Sequence, residues 1–222
     1  MNSVATPLPF TARHAFAQPL GPACCAETLY AQVFEDILER QFADGLSEDA
    51  LIRAYGAGRS QVRRVMTRLA RQQVIVTRPN QRARVAEPDA EQIRQTLQAR
   101  RLAETSVIPL ACARAAGLTF EPLRALVARE RQSTEGGRRS TATRLGGEFH
   151  LELARMAGNA PLANFLGALV PLTGLALAQH STRLEDWRAR EAIVNALENG
   201  NARAAIERMS DYLDRLAIML FC

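Results

Sequence analysis

At 222 residues and a net charge of +5, with 47% hydrophobic but only 5% aromatic residues, the chain has room for one large domain or two ordinary ones around an aliphatic core. The four cysteines, Cys24, Cys25, Cys112 and Cys222, lack zinc-type spacing and are expected to be free thiols in a reducing cytoplasm, which excludes a disulfide scaffold. No signal-peptide pattern opens the chain, and the longest apolar stretch, Phe165 to Ala178, is expected to be too short to span a membrane and contains Pro171.

Residues 1–26 carry Pro7, Pro9, Pro19 and Pro22 without sustained periodicity and are expected to form a flexible tail. From Glu27 the pattern changes. Leu29, Val33, Phe34, Ile37 and Leu38 recur at helical spacing and predict a first helix to about Phe42. Ser47 is placed to cap a second helix, with Glu48 and Asp49 in the first turn, where the dipole favours anions. Its apolar side is Leu51, Ile52 and Tyr55, and Gly56-Ala57-Gly58 breaks it with a tight left-handed turn. A third helix is predicted from Arg59 to about Gln72, burying Val62, Val65, Met66 and Leu69. The β-branched run Val74 to Thr77, a turn at Pro79-Asn80-Gln81 and a return strand around Arg84-Val85 complete a hairpin. Three helices closed by a basic hairpin make a winged helix-turn-helix over 27–86.

A linker at Ala86 to Ala90 leads into six further helices, expected at about 89–115, 120–133, 140–157, 161–180, 184–199 and 201–221. Breaks fall at Gly117, Gly136-Gly137, Gly158-Asn159, Ser181-Thr182 and Gly200-Asn201. The predicted fold is therefore mainly α: the winged head, then an all-α bundle over 89–222 with room between helices for a small ligand.

Charge is concentrated in the head. Between Ala50 and Ala86 stand nine arginines and no acid, although the whole protein is only +5. A recognition helix presents its leading residues to base edges and its later basic residues to the backbone. Arg59, Ser60, Gln61 and Arg63 hold the leading positions, while Arg64, Arg68 and Arg71 form a second row that, with Arg53, faces phosphates. Arg78, Arg82 and Arg84 flank the hairpin turn, where they reach a minor groove or phosphates. The alternatives are a solvated basic helix face and a plain exposed hairpin.

These residues carry a family resemblance. Leu46-Ser47-Glu48, Gly58-Arg59-Ser60-Gln61-Val62-Arg63-Arg64-Val65-Met66, Leu69 and Pro79-Asn80 through Val85 resemble the DNA-binding domain of GntR-type bacterial transcription regulators. The resemblance implies that Arg59 and Arg63 contact DNA. The sequence departs from the family pattern at Gly58 for Ser, Gln61 for Pro and Arg82 for the wing glycine.

The bundle extends the resemblance. Arg100-Arg101-Leu102-Ala103-Glu104, Glu148-Phe149-His150 followed by Gly158-Asn159, Ala192 to Ala196, and Gly200-Asn201 through Met209 resemble segments of the FCD effector domain. Many members of that group hold a divalent metal through one Asp and three His. The corresponding positions here are Gly146, His150, Arg190 and Tyr212, so no metal and no cofactor are expected. His150 is then either a hydrogen-bonded core residue or, with Arg190 and Tyr212, a direct ligand of an effector such as a small organic acid. Arg100 either joins that site or pairs with Glu104 one turn on.

With His14, His150 and His180 as its only histidines, no nucleophile motif and no phosphate-binding glycine loop, the chain offers no catalytic set. The expectation is a cytoplasmic, homodimeric transcription regulator, repressing at a palindromic operator under control of a small molecule, with no membrane role. Two alternatives stay open: an architectural DNA binder with a vestigial effector domain, and a scaffold whose basic surface meets an acidic protein.

Overall fold

In a computed structural model the described residues are 26–114, 119–180 and 187–221. The expected tail, His14, Cys24, Cys25, Gly117, Ser181-Thr182 and Cys222 lie outside them. The head begins with α1 (Ala26–Leu38), which buries the predicted stripe from Leu29 to Leu38 and ends four residues sooner than its apolar pattern, in turns with Arg40 left-handed. Helix α2 (Glu48–Tyr55) starts where Ser47 accepts the Ala50 N–H and stops where Gly56 turns left-handed at φ 62°.

Helix α3 (Arg59–Arg71) buries Val62, Val65 and Leu69 on the inner side. Strands β1 (Ile75–Val76) and β2 (Arg84–Val85) pair antiparallel, Ile75 opposite Val85. Leu46 and Ala83 exchange backbone hydrogen bonds of 2.7 and 2.9 Å, which adds a third rung to this wing. Gly45 permits that approach: a Cβ there would meet Ala83 O at 2.7 Å. The left-handed position of the wing turn falls on Asn80, a residue that tolerates it, so Arg82 in place of glycine strains nothing.

Six helices follow: α4 (Ala90–Arg114), α5 (Glu121–Glu135), α6 (Arg139–Met156), α7 (Ala160–His180), α8 (Trp187–Glu198) and α9 (Ala202–Phe221). Neighbouring pairs are α5–α6, α6–α7, α8–α9, α4–α9 and α4–α7, around a core that includes Phe149, Leu153, Leu166, Ile193 and Leu213. At 21 residues α7 is longer than the apolar stretch read from sequence, and by length and composition it would cross a bilayer. Half of that apolar window is instead buried inside the protein, so α7 serves as the central helix of the bundle.

Head and bundle share structure. Leu172 and Leu175 of α7 belong to the head's hydrophobic core, beside residues of α1 and α3. Gln72 at the end of α3 accepts from Tyr30 Oη at 2.8 Å and donates to Gly167 O at 3.1 Å. Burial raises the Tyr30 phenol pKa to about 12 even with Arg68 beside it, so it remains a neutral donor. On the other flank, Arg144 of α6 donates to Glu35 of α1 at 2.6 Å, Thr141 donates to the same carboxylate at 3.0 Å, and Ser140 reaches Glu39. Arg40 caps the end of α7 through Gln179 O at 2.8 Å, and Gln179 returns a bond to Ala86 O.

Candidate nucleic-acid interface and the buried polar cluster

The apolar stripe of α3 faces α1, so its arginines are forced outward. Arg53, Arg59, Ser60, Arg63, Arg64 and Arg71 are exposed, as are Arg78, Arg82 and Arg84 around the wing. This brings the predicted DNA-facing set onto the outside of α3 and its hairpin, with two exceptions. Gln61 accepts the Gly58 N–H through Oε1 at 2.9 Å, which ties its side chain to the start of its own helix. Arg68 leans back onto α1: Nη1 donates to Glu27 at 2.7–2.8 Å, and its guanidinium lies 3.7 Å from the centre of the Tyr30 ring.

The stretch without acids is also less bare than its composition suggests, because acids from outside it fold onto it. Arg63 Nε donates to both oxygens of Glu48 at 3.0 Å. Arg59 lies 3.8 Å from Glu48 and 3.4 Å from Asp49. Among the described residues, Arg53, Arg64, Arg71, Arg78, Arg82 and Arg84 have no ion pair, leaving a band of unneutralised charge along α3 and the wing.

Inside the bundle the four residues singled out from sequence do converge. Arg100 (2% exposed), His150 (1%), Arg190 (0%) and Tyr212 (3%) are buried together with Glu104 and Glu130. Arg100 Nε donates to Glu104 at 2.6 Å, the one-turn pairing allowed for in the sequence. His150 Nδ1 meets the other Glu104 oxygen at 2.6 Å, and its ring stacks on Tyr212 with centroids 4.9 Å apart. Burial lowers the His150 pKa to about 4 despite Glu104, so at neutral pH Nδ1–H is the donor and Nε2 an acceptor. Burial alone would push Glu104 up, but Arg100 and His150 outweigh it and hold the carboxyl at about 2. Arg100 Nη2 and His150 Nε2 are buried without a hydrogen-bond partner.

Arg190 has its own set of partners: Gly146 O at 3.2 Å, Glu130 at 2.8 Å and Tyr212 Oη at 3.0 Å. Glu130, on α5, went unnoticed in the sequence, where an isolated Glu in an amphipathic helix carries no signal. These partners place a guanidinium among the positions that the family resemblance assigns to metal ligands. A divalent ion does not fit there, since Gly146 supplies no carboxylate and Arg190 contributes a cation in place of a donor.

The chain's own similarities agree with this architecture. The family model for bacterial regulatory proteins of the gntR family matches residues 25–85, and the FCD domain model matches residues 95–215. No curated protein matches the chain. Among solved structures, E. coli McbR/YncC superposes with a TM-score of 0.69 at 15% identity, over 88% of this chain and 96% of that one. A putative transcriptional regulator GntR from Rhodococcus sp. RHA1 gives 0.67 at 17% identity, over 88% and 96% respectively. At such identities the likeness is one of fold. The two family models together span nearly the whole described chain, and the protein belongs to the GntR family of bacterial DNA-binding transcription regulators, which are not enzymes, with a C-terminal FCD domain.

Proposed function

We propose that the chain is a homodimeric, cytoplasmic repressor that reads a palindromic operator through its head over 27–86 and senses a small metabolite in its bundle over 89–222. The observation that carries the DNA reading is the outward band of arginines on α3 and the wing, with Arg59 and Arg63 on the leading turns. Arg59, Ser60 and Arg63 read bases; Arg53, Arg64, Arg71, Arg78, Arg82 and Arg84 hold phosphates, while Arg68 and Gln61 support the helix that presents them. Two such heads about a two-fold axis match the symmetry of a palindrome.

Arg100 Nη2 and His150 Nε2 support a metabolite with two functions. The first offers a donor and the second an acceptor, so a carboxylate beside a hydroxyl, as in a small hydroxy acid, satisfies both. Arg190 and Tyr212 border that ligand rather than lead its capture. One observation favours a second reading: the Arg100–Glu104 and Arg190–Glu130 pairs already neutralise each other, as an effector-independent DNA binder would have them.

The test is binding to the DNA upstream of the protein's own gene, at physiological salt with excess competitor, beside an Arg59→Ala/Arg63→Ala variant. A competitor-resistant complex that the variant loses, and that hydroxy acids weaken, supports the proposal. Competitor-sensitive binding indifferent to hydroxy acids supports the second reading.

A further inference from the structure

Glu48 stands apart among the acids of the head because a single carboxylate faces both leading arginines. It is 3.0 Å from Arg63 Nε through each oxygen and 3.8 Å from Arg59 Nη1. Its side chain is one-third exposed, whereas those of Arg59 and Arg63 are about three-fifths exposed. The contact with Arg63 runs through Nε, and among the described residues neither Nη makes a hydrogen bond; one Nη–H shares the Nε side of the planar guanidinium, while its end-on edge, one N–H from each Nη, stays open. Ser47 fixes the start of α2 and so fixes where this carboxylate stands.

A surface arginine left to itself samples many rotamers and meets any phosphate in reach as a point charge. Two consequences follow from fastening it at Nε. The side chain arrives with its plane set, so less rotamer entropy is lost when the two Nη groups meet a base edge such as guanine O6 and N7. The negative charge beside it also repels phosphates, which penalises non-specific docking more than a base contact made by the outward edge.

Resting on the DNA-binding reading above, we propose that Glu48 is a positioning residue that sets the ratio of sequence-specific to non-specific DNA binding, by holding the Arg63 guanidinium edge-on to the major groove. Glu48 touches no base in this scheme and acts through Arg63.

The experiment selects sites from a random duplex library with the full-length wild-type protein. Affinity for the selected duplex, for single-base variants of it and for mixed-sequence DNA is then measured with wild type, Glu48→Gln and Asp49→Asn. Asp49→Asn removes the same charge from the same turn but touches only Arg59, at 3.4 Å. With Glu48→Gln, discrimination at one symmetric base position is expected to fall about tenfold, within the range one bidentate base contact supplies. Mixed-sequence affinity holds or rises, the melting temperature stays put, and Asp49→Asn retains discrimination. Unchanged discrimination in Glu48→Gln overturns the proposal. So does a parallel loss of specific and mixed-sequence affinity, or an equal effect of Asp49→Asn, since those outcomes reflect folding or net charge. If the wild type enriches no site, the operator reading fails and this one falls with it; enrichment with an indifferent Glu48→Gln sinks this one alone.

Discussion

Arg190 donates a hydrogen bond to the phenol oxygen of Tyr212 at 3.0 Å, with its guanidinium carbon 4.8 Å from the centre of the same ring. This contact joins α8 to α9 at two positions to which the family resemblance assigns metal-binding histidines. The cluster is consequently held by charge and hydrogen bonds of the chain itself. Arg190→Ala removes the 2.8 Å ion pair with buried Glu130 and is expected to cost about 3–5 kcal/mol in urea unfolding. Neither zinc, manganese nor a chelator is expected to move the wild-type melting temperature; stabilisation by a stoichiometric divalent ion would contradict the geometry.

Acid is expected to weaken the bundle through two groups with the same sign. His150 titrates near 4 when folded, below its ordinary value near 6.5, so the unfolded chain binds the extra proton first and stability falls as pH drops through that window. Glu104, held at about 2, adds a further loss below about pH 4.5. Between pH 7 and 5 the His150 contribution amounts to about 2 kcal/mol. Urea unfolding at the two pH values checks this, and His150→Gln should flatten the difference.

Arg68 and Arg71 stand three residues apart on α3 with different surroundings. Arg68→Ala is expected to lower stability by about 1 kcal/mol through the lost Tyr30 and Glu27 contacts, with little effect on DNA affinity. Arg71→Ala should leave stability alone and reduce the slope of log affinity against log salt by about one. Anisotropy titrations at several salt concentrations, with melting curves, separate the two.

Arg144 is largely buried and bonds Glu35 of α1 from the helix that also carries His150. Arg144→Ala is expected to cost about 1–2 kcal/mol and to raise amide exchange in α1 while sparing α8 and α9. Hydrogen-exchange mass spectrometry distinguishes this from uniform destabilisation.

Local signals were legible in the sequence because they act over a few residues. The Ser47 cap, the Gly56 stop, the Val62–Val65–Leu69 stripe and the Arg100–Glu104 turn all lie within one helix or its edge. The contacts that sequence reading missed close over long separations. Glu48 reaches Arg63 from a different helix, and Glu27 reaches Arg68 across two. Glu130 finds Arg190 sixty residues on. The charge count over Ala50 to Ala86 misled for the same reason, since it began directly after Glu48 and Asp49, the acids that fold back onto it. Gln61 shows a subtler limit: one side chain suits both a base edge and a helix start, and the backbone N–H of Gly58 is always the nearer partner.

Leu172 and Leu175 complete the apolar interior of the head although they lie more than eighty residues beyond it in sequence. A recombination event that grafted residues 26–86 onto an unrelated sensor would deliver a head with a hole in its side. Exchange of heads between such regulators is thus restricted to donors whose seventh helix presents matching leucines. An engineered chimera should carry that face of α7 with the head it serves.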